Sequence, residues 1–417
     1  MNLPDPSDPS LGATLPGPHT AELDATIAVG AMAQPGVQGT LIAQALRATV
    51  LPRVQVDVAG PVMMHEPRVR YEEGDMLGRG GVGEVVRAMD NDIHRPVAIK
   101  RILPDNESPA VLARFVDEIR VIGQLEHPNI VPIHDVGLDQ NGRYYFVMKY
   151  VNGETLESIL DKLDAGDPHY HAMYTFERRT LLFVGILEAM QYAHARGVIH
   201  RDIKPANIMV GPYGEVMVMD WGIAKRMGEA GPDALVPDAP APRMAGTHVG
   251  SVVGTPAYMS PEQARGEIDK LDVRSDIYSL CVLYHELLCL RHYLADCTTL
   301  EALLAGVLTR KPMHPSFVHH PHQGRVPADL AWIVLDGLAK DPVERYASVE
   351  ALLSRIRKRF EGQIRIQCPV TFTKRLTMVW THLIDGHPMI AVALAMMGVL
   401  GFVGSAGFIA WQVVAML

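Results

Sequence analysis

Residues 200–207 read HRDIKPAN and residues 220–222 read DWG, and together they hold four side chains suited to phosphoryl transfer. That reaction needs an acceptor for the proton of the attacking hydroxyl, a cation near the γ-phosphate and oxygen ligands for Mg²⁺. Asp202 is the candidate catalytic base, and Lys204 is the candidate cation. Asn207 and Asp220 are the candidate metal ligands.

A glycine-rich run, GRGGVG at residues 78–83, lies between two β-like segments. Its glycines, which have no side chain to clash, let backbone N–H groups approach phosphate oxygens; they are Gly78, Gly80, Gly81 and Gly83. A dinucleotide-binding turn shares this pattern, but there a helix follows, whereas here a strand follows. The run is therefore a candidate phosphate-binding loop.

Lys100 ends the β-like run VAIK at residues 97–100. A lysine on a strand can pair with α- and β-phosphates, and it then needs a carboxylate to hold it. Glu118, inside a helix predicted over residues 110–125, is well placed for that role, whereas Asp117 points elsewhere on the helix. Taken alone, either Lys100 or Glu118 is equally well explained as a surface residue.

This ordered set of motifs resembles the eukaryotic-type serine/threonine protein kinase family, specifically its bacterial branch. The resemblance extends from Tyr71 to about Phe360. It implies an α+β, bilobal catalytic domain over residues 69–360, with a small β-rich lobe (69–150) and a larger helical lobe (151–360). It also implies ATP and Mg²⁺ as cofactors, with Mn²⁺ as an alternative metal, and proteins as substrates.

The resemblance further assigns a nucleotide site. Met148 corresponds to the gatekeeper before the hinge, and three apolar residues sandwich the adenine. The expected apolar contacts of the nucleotide are Leu77, Val85, Ala98, Met148, Val151 and Met209.

Residues 254–262, GTPAYMSPE, are similar to the end of the family's activation segment. The resemblance implies that Glu262 pairs with Arg345 and that Asp276 anchors the catalytic loop. Lys204 and Thr255 are features of the serine/threonine branch. Arg201 before Asp202 implies activation by phosphorylation of the loop, for which Thr247 and Ser251 are the candidate sites.

The predicted secondary structure of the chain follows the same division into a β-rich small lobe and a helical large lobe. Short β-rich runs at 84–88, 96–102 and 144–150 are interrupted by the helical stretch 110–125. From Leu156 to Phe360, apolar residues recur at spacings of three and four, which predicts helices.

Outside the catalytic domain we expect three further segments. Residues 1–68 are rich in Pro, Ala, Gly and Thr, which predicts a mostly disordered arm. Residues 361–387 form a juxtamembrane segment with basic side chains near lipid headgroups. Residues 388–417 contain no charged side chain and are long enough to span a bilayer as a helix.

The basic residues Lys374 and Arg375 precede that helix, which predicts a cytoplasmic catalytic domain and a C-terminus on the far side. Small residues recur near one face of the helix and suggest a homodimer; they are Ala391, Ala395, Gly398 and Ser405. A receptor with an external sensor is not expected, because no sequence follows the helix.

Composition bounds the remaining alternatives. The net charge of −9 argues against nucleic acid as a partner. The acidic, proline-rich start does not resemble a secretory signal peptide, and the four cysteines lack metal-ligand spacing. A pseudokinase scaffold and a small-molecule phosphotransferase stay open as alternatives. The first is disfavoured because Lys100, Asp202, Asn207 and Asp220 are all present, and the second because residues 255–262 resemble a peptide-docking loop.

Overall fold

A computed structural model of the chain describes residues 48–57, 60–64, 68–80, 83–104, 108–139, 141–222, 225–226 and 256–416. Gly81, Thr247, Ser251 and Thr255, all singled out above, lie outside these ranges.

The small lobe is built on a five-stranded antiparallel sheet with the spatial order β3-β4-β5-β7-β6. Its strands are β3 (Tyr71–Arg79), β4 (Gly83–Asp90), β5 (Arg95–Ile102), β6 (Ile133–Leu138) and β7 (Tyr144–Lys149). Side chains alternate across β5: Val97 and Ile99 enter one buried cluster with Tyr71 and Val147. Ala98 and Lys100 therefore lie on the opposite face, together with Ile102.

Helix α1 (Pro109–Ile122) covers that second face through Phe115, which packs against Ile102 and Phe146. Ser108 caps the helix, because its hydroxyl accepts a hydrogen bond from Val111 N (3.4 Å). Pro109 follows at the first position, where a missing N–H costs nothing. The packing of α1 buries Glu118, whereas the side chain of Asp117 is half-exposed and lies beside Arg120.

A two-stranded hairpin precedes this sheet, where the sequence led us to expect a disordered arm up to residue 68. Strands β1 (Arg53–Asp57) and β2 (Gly60–Met64) pair antiparallel. The segment before them is tied to the β4–β5 turn, since Asp92 Oδ1 accepts hydrogen bonds from Val50 N (2.8 Å) and Leu51 N (2.9 Å). Thr49 N also donates to Arg68 O (2.8 Å). These hydrogen bonds hold residues 49–51 in place, although the composition of the segment alone does not predict an ordered structure.

The large lobe is helical and packs around two long helices. Phe183 of one stacks on Tyr284 of the other, with ring centroids 4.1 Å apart. Their buried faces lie at the centre of the main apolar core and are joined there by residues from the other helices and the short strands of this lobe. The helices of this lobe are α2 (Leu156–Asp164), α3 (Pro168–Met173), α4 (Phe176–Ala195), α5 (Pro261–Ala264), α6 (Val273–Cys289), α7 (Leu300–Thr309), α8 (Ala328–Gly337) and α9 (Val349–Phe360).

Five short strands, β8 to β12, lie between α1 and α5 in the described part of the chain. β10 (Ile208–Val210) pairs with β11 (Val216–Val218) and with β8 (Glu154–Thr155). β9 (Val198–Ile199) pairs with β12 (Lys225–Arg226).

Two helices follow the catalytic domain. α10 (Pro369–Gly386) forms within residues 361–387, a segment whose secondary structure the sequence left open, and α11 (Pro388–Met416) comes directly after it. Within α11, Pro388–Phe408 is long and apolar enough to cross a membrane, and only 6% of its best apolar window is buried in the protein. α11 is thus not a helix of the protein core.

Candidate active site

Lys100 lies between two carboxylates from different lobes. Its Nζ donates to Glu118 Oε1 (2.6 Å) on α1 and to Asp220 Oδ1 (3.1 Å) after β11. Burial works against the charged form of Lys100, but the two carboxylates outweigh it and raise the pKa of the ammonium to about 12. Lys100 is therefore a fixed cation over the whole physiological pH range, held where the sequence analysis expected a phosphate-binding lysine.

Asp202 is held by two neighbours that come a few residues later in the chain. Lys204 Nζ donates to its Oδ2 (2.8 Å), and Asn207 Nδ2 donates to the same atom (3.1 Å). Asn207 Nδ2 also donates to the backbone oxygen of Asp202 (2.8 Å). These contacts hold the carboxylate in place for a hydrogen bond from an incoming hydroxyl.

The loop that carries Asp202 is anchored from below by Asp276. Its Oδ2 accepts from His200 N (2.8 Å), and its Oδ1 accepts from Arg201 N (2.9 Å). Burial favours the neutral acid, but His194 and the amide of His200 keep the pKa of Asp276 below its ordinary value. Arg201 has a φ of 69°, a left-handed conformation that costs free energy for a residue other than glycine. The ionised carboxylate therefore holds the loop in a strained shape.

The two candidate metal ligands lie at one end of the β10–β11 hairpin. Ile208 pairs with Val218, so Asn207 and Met219 are the next pair, and Met219 N donates to Asn207 O (3.0 Å). Asp220 follows, with a φ of 61°. Lys100 outweighs burial and keeps the pKa of Asp220 below its ordinary value.

This donor set fits Mg²⁺. A carboxylate and an amide offer the oxygen ligands that Mg²⁺ prefers, with phosphate and water completing the shell. The amide nitrogen of Asn207 is occupied by Asp202, which leaves the amide oxygen as the atom able to bind a cation. The side chain of Asp220 is 45% exposed, so one of its oxygens is accessible while Lys100 holds the other.

Two of the expected nucleotide contacts, Val85 and Ala98, lie close to Lys100 in the five-stranded sheet. Val85 of β4 pairs with Lys100, and Ala98 pairs with Met148 of β7. Gly83 N-terminal to Val85 tolerates no side chain, since a Cβ there would lie 2.6 Å from Arg101 O. The rest of the described glycine-rich loop is open: Leu77 is exposed, and Gly80 N donates to Gly83 O (2.8 Å). Met209 lies on β10, opposite Thr155, and Val151 follows β7.

The predicted ion pair at the end of the activation segment is present. Arg345 and Glu262 form two parallel hydrogen bonds, Nη1 to Oε1 (2.8 Å) and Nη2 to Oε2 (2.9 Å). Both side chains are almost fully buried, and Ser275 Oγ donates to Glu262 as well (2.7 Å). Arginine suits this site because its planar fork matches a carboxylate.

Trp221, where the family usually has Phe, is 1% exposed and packs 4.5 Å from the ring of His200. No described residue accepts a hydrogen bond from its Nε1. The sequence predicted altered packing here, and the large ring is fully accommodated next to the catalytic loop.

Two residues that position the loop were missed by sequence reasoning. His194 Nε2 lies 2.8 Å from Asp276 Oδ2, and Gln263 Nε2 donates to Arg201 O (2.8 Å). Neither belongs to a motif that the sequence analysis used. Gln263 follows Glu262 directly, which is the one signal that links it to the site.

Comparison with known proteins decides the family. The model of the protein kinase domain matches residues 71–355, more than half of the chain. The chain belongs to the protein kinase family.

Relatives with assigned names place this kinase domain in the bacterial serine/threonine branch. A probable serine/threonine-protein kinase of Streptomyces coelicolor is 38% identical, over 72% of this chain and 42% of its own length. PknB of Mycobacterium tuberculosis is 37% identical, over 69% of this chain and 43% of its own length. PknD of Protochlamydia amoebophila is 35% identical, over 72% of this chain and 30% of its own length. The match thus spans less than half the length of these relatives, and the bilobal fold described above is that of the shared kinase domain.

Proposed function

We propose that the chain is an active, ATP-dependent serine/threonine protein kinase. It transfers the γ-phosphate of ATP to Ser and Thr hydroxyls of proteins, its own included, in membrane-associated intracellular signalling. One observation carries this proposal: the site brings the candidate base and both candidate cations together. Lys204 Nζ donates to Asp202 Oδ2 (2.8 Å), and Lys100 Nζ, from the small lobe, donates to Oδ1 of the candidate metal ligand Asp220 (3.1 Å). The names of the relatives support Ser and Thr as acceptors.

Each polar residue of the site has a proposed role. Asp202 accepts the hydrogen bond of the attacking hydroxyl, and Lys204 meets the charge that develops on the γ-phosphate. Lys100, oriented by Glu118, binds the α- and β-phosphates. Asn207 and Asp220 hold Mg²⁺, or Mn²⁺ in its place, and the bound ion neutralises phosphate charge.

Adenine binding is assigned to the apolar side chains on both sides of the cleft. Val85 and Ala98 cover the base from the small lobe, Met209 lies below it, and Leu77, Met148 and Val151 complete the site. Ala98 is buried and lies on the same face of β5 as Lys100, which supports the assignment because base and phosphates must be bound together. The glycines at 78, 80, 81 and 83 cover the phosphates.

A transfer assay separates this function from a pseudokinase. Purified protein is incubated with Mg-ATP labelled in the γ-phosphate, next to the variants Asp202→Asn and Asp296→Asn. Asp296 is an exposed residue of the large lobe that pairs with Arg310, so its variant makes the same chemical change at a residue with no proposed role in the site. We expect labelling of wild type and Asp296→Asn only. Equal labelling of wild type and Asp202→Asn contradicts an enzymatic role, and labelling of added small molecules but of no protein favours a small-molecule phosphotransferase.

Control by loop phosphorylation is the second part of the proposal, with Thr247 and Ser251 as acceptors. A phosphate of roughly −2 charge near Arg201 stabilises an ordered activation segment. Mass-spectrometric mapping of the autophosphorylated protein, with Thr247→Ala and Ser251→Ala as variants, tests both sites. Phosphate on neither residue rejects them.

Anchorage by α11 is the third part. The exposed, apolar stretch Pro388–Phe408 supports a membrane span, and the basic pair Lys374 and Arg375 supports a cytoplasmic kinase domain. Extraction of cell membranes at alkaline pH tests it, since a spanning protein stays in the pellet. Release into the supernatant contradicts the anchor.

Homodimerisation through α11 is a narrower hypothesis. Ala391 is only 3% exposed within the single chain, so it is already covered. Ala395, Gly398 and Ser405 remain as the small residues that let two helices approach. Cross-linking in membranes, with Gly398→Leu as the disrupting variant, measures it.

A further inference from the structure

The inner face of α10 is fixed to the large lobe. Lys374 Nζ donates to Asp329 Oδ1 on α8 (2.6 Å), and Arg359 of α9 donates to the other oxygen of the same carboxylate. Thr371 is fully buried, and Met378 lies over Gly362, where an added Cβ would come within 3.1 Å of its sulfur. Spacings of three and four residues place Thr371, Lys374 and Met378 on one side of the helix.

The outer face of α10 carries large apolar side chains. At about 100° per residue, Phe372, Leu376 and Trp380 lie roughly opposite the side that contacts the lobe. Their exposed fractions are 50%, 58% and 38%, and Val379 beside them is 57% exposed. A helix held on one side by Thr371 and Lys374, with large apolar side chains uncovered on the opposite side, is the arrangement of a helix that lies in a membrane surface.

Chain connectivity identifies the occupant of this face. α10 ends at Gly386 and α11 begins at Pro388, so the apolar side chains lie directly beside the segment proposed to enter the bilayer. Tryptophan and phenylalanine are suited to the boundary between headgroups and acyl chains. A lipid surface therefore fits this face better than a second protein does.

A basic pocket lies at the base of α10. It is formed by α8, α9 and residues 363–367, has a volume of about 240 Å³, and is lined by four cationic side chains, Arg355, Lys358, Arg359 and Arg365. Its one carboxylate, Asp329, is already paired with Arg359 and Lys374. Arg355 is paired with Asp336, whereas Lys358 and Arg365 are exposed and have no acidic partner in the described part of the chain.

The size and charge of this pocket specify its ligand. Sites for drug-sized molecules measure about 300–1,000 Å³, so the pocket suits a smaller group. Its excess of positive charge selects an anion, and a phosphodiester matches the arginine side chains.

We propose that α10 and the basic pocket form a docking surface for anionic phospholipid, with the outer face of α10 in the headgroup boundary and a lipid phosphate in the pocket. The proposal rests on α11 as the membrane anchor, and it adds a fixed orientation of the large lobe relative to the bilayer. Because Asp329 ties α10 to α8 and α9, the large lobe cannot swing freely about its anchor; it is held against the bilayer at its α8–α9 end.

Tryptophan quenching tests the position of α10. The full chain is reconstituted in phosphatidylcholine nanodiscs containing phosphatidylglycerol, with or without brominated acyl chains that quench tryptophans in contact with them. We expect Trp380→Phe and Trp411→Phe each to lower the amount of emission lost to the brominated chains, and Trp332→Phe on α8 to leave that amount unchanged. Quenching that depends on Trp411 alone overturns the proposal and leaves the anchor intact. If Trp411 is not quenched either, the anchor fails as well. Cross-links between two copies at Phe372 or Leu376, with Trp380 unquenched, assign the face to a dimer instead.

Lipid binding in detergent tests the pocket. Native mass spectrometry of the full chain compares short-chain phosphatidylglycerol, short-chain phosphatidylcholine and inorganic phosphate. Each basic residue contributes about 1 kcal/mol near an anionic surface, so Lys358→Gln and Arg365→Gln should each weaken phosphatidylglycerol binding about fivefold. Arg357→Gln is the matched control, because Arg357 lies on the same helix but pairs with Glu188 (2.8 Å) outside the pocket. Equal binding by all three variants, or binding of inorganic phosphate without preference for the anionic lipid, overturns the pocket assignment.

Discussion

The carboxylate of Asp276 accepts a hydrogen bond from the backbone amide of Arg201 (2.9 Å), the residue that precedes Asp202 and has a φ of 69°. A single buried acid thus holds the strained backbone on which the proposed base depends.

Asp276→Asn should weaken both stability and activity. An amide nitrogen placed against a backbone N–H cannot accept its hydrogen bond, and a lost bond to a charged group costs about 1.5–3 kcal/mol. We expect the unfolding free energy to fall by about that amount and kcat to fall at least about tenfold as Asp202 moves. Denaturant unfolding and steady-state kinetics measure the two effects. Asp269→Asn changes an exposed aspartate in the same lobe and should alter neither the unfolding free energy nor kcat. An Asp276→Asn variant with normal kcat would refute the anchoring role.

Glu118→Gln should lower activity without unfolding the protein. The variant keeps the shape of the side chain but removes the charge that holds Lys100, which lies 2.6 Å away. A charge-assisted hydrogen bond of this kind is worth about 1.5–3 kcal/mol, so kcat/KM for ATP should fall about ten- to hundredfold. Asp117→Asn, one position earlier on α1 and half-exposed, is the control. Equal effects of the two substitutions would show that α1 acts only as a scaffold.

Arg345→Lys should destabilise the large lobe even though it keeps the charge. Lysine cannot form the two parallel hydrogen bonds to Glu262, nor the bond from Arg345 Nε to Ala339 O (2.8 Å). Breaking a buried pair costs about 3–5 kcal/mol, and we expect a loss near the lower end because the charge remains. Arg310→Lys, in an exposed pair with Asp296, should leave the denaturation midpoint almost unchanged. Midpoints that fall equally in both variants contradict the assignment.

Glu286 should make stability depend on pH near neutrality. Burial, together with Glu157 and Asp161, raises the pKa of its carboxyl to about 7, against the hydrogen bond donated by Tyr258. A carboxyl whose pKa is raised by folding stabilises the protein at low pH, and this contribution is lost as pH rises from about 4.5 to about 7. Relative to Glu286→Gln, the wild type should therefore lose about 3 kcal/mol of unfolding free energy over that interval. Urea unfolding at several pH values measures the difference, and parallel curves for the two proteins exclude the effect.

Deleting residues 388–417 should give a soluble protein that keeps the proposed kinase activity. The deleted helix is exposed along its apolar stretch and supplies no residue to the site built around Lys100 and Asp202. Sedimentation and transfer of labelled phosphate measure the outcome. An insoluble or inactive product, when the full chain is active in detergent, would mean that α11 supports the fold.

The sequence predicted most of the catalytic domain because its signals are local. The runs 84–88, 96–102 and 144–150 became β4, β5 and β7, and the helix predicted over 110–125 became α1 (Pro109–Ile122). The ion pair between Glu262 and Arg345 was also predicted, from the resemblance. Only the family pattern, not spacing, links residues so far apart in the chain.

Two elements were missed for different physical reasons. The hairpin Arg53–Met64 was hidden by the composition of the arm around it, although RVQVD alternates with the period of a strand. Helix α10 was missed because its segment was interpreted from the basic residues before α11, although Phe372, Leu376 and Trp380 recur at the four-residue spacing of a helix. The contact of His194 with Asp276 depends on how α4 and α6 cross, which no short motif encodes.

Trp221 gives the kinase domain an intrinsic fluorophore directly beside Asp220, the proposed metal ligand. Its indole is buried next to Asp220 and 4.5 Å from His200, where family members with Phe have no comparable chromophore. Binding of a nucleotide with its metal changes the electric field around that indole, so the intrinsic emission should shift on titration with Mg-ATP. The shift should vanish in Trp221→Phe and persist in Trp332→Phe. Nucleotide occupancy of the kinase can then be followed in real time without a label.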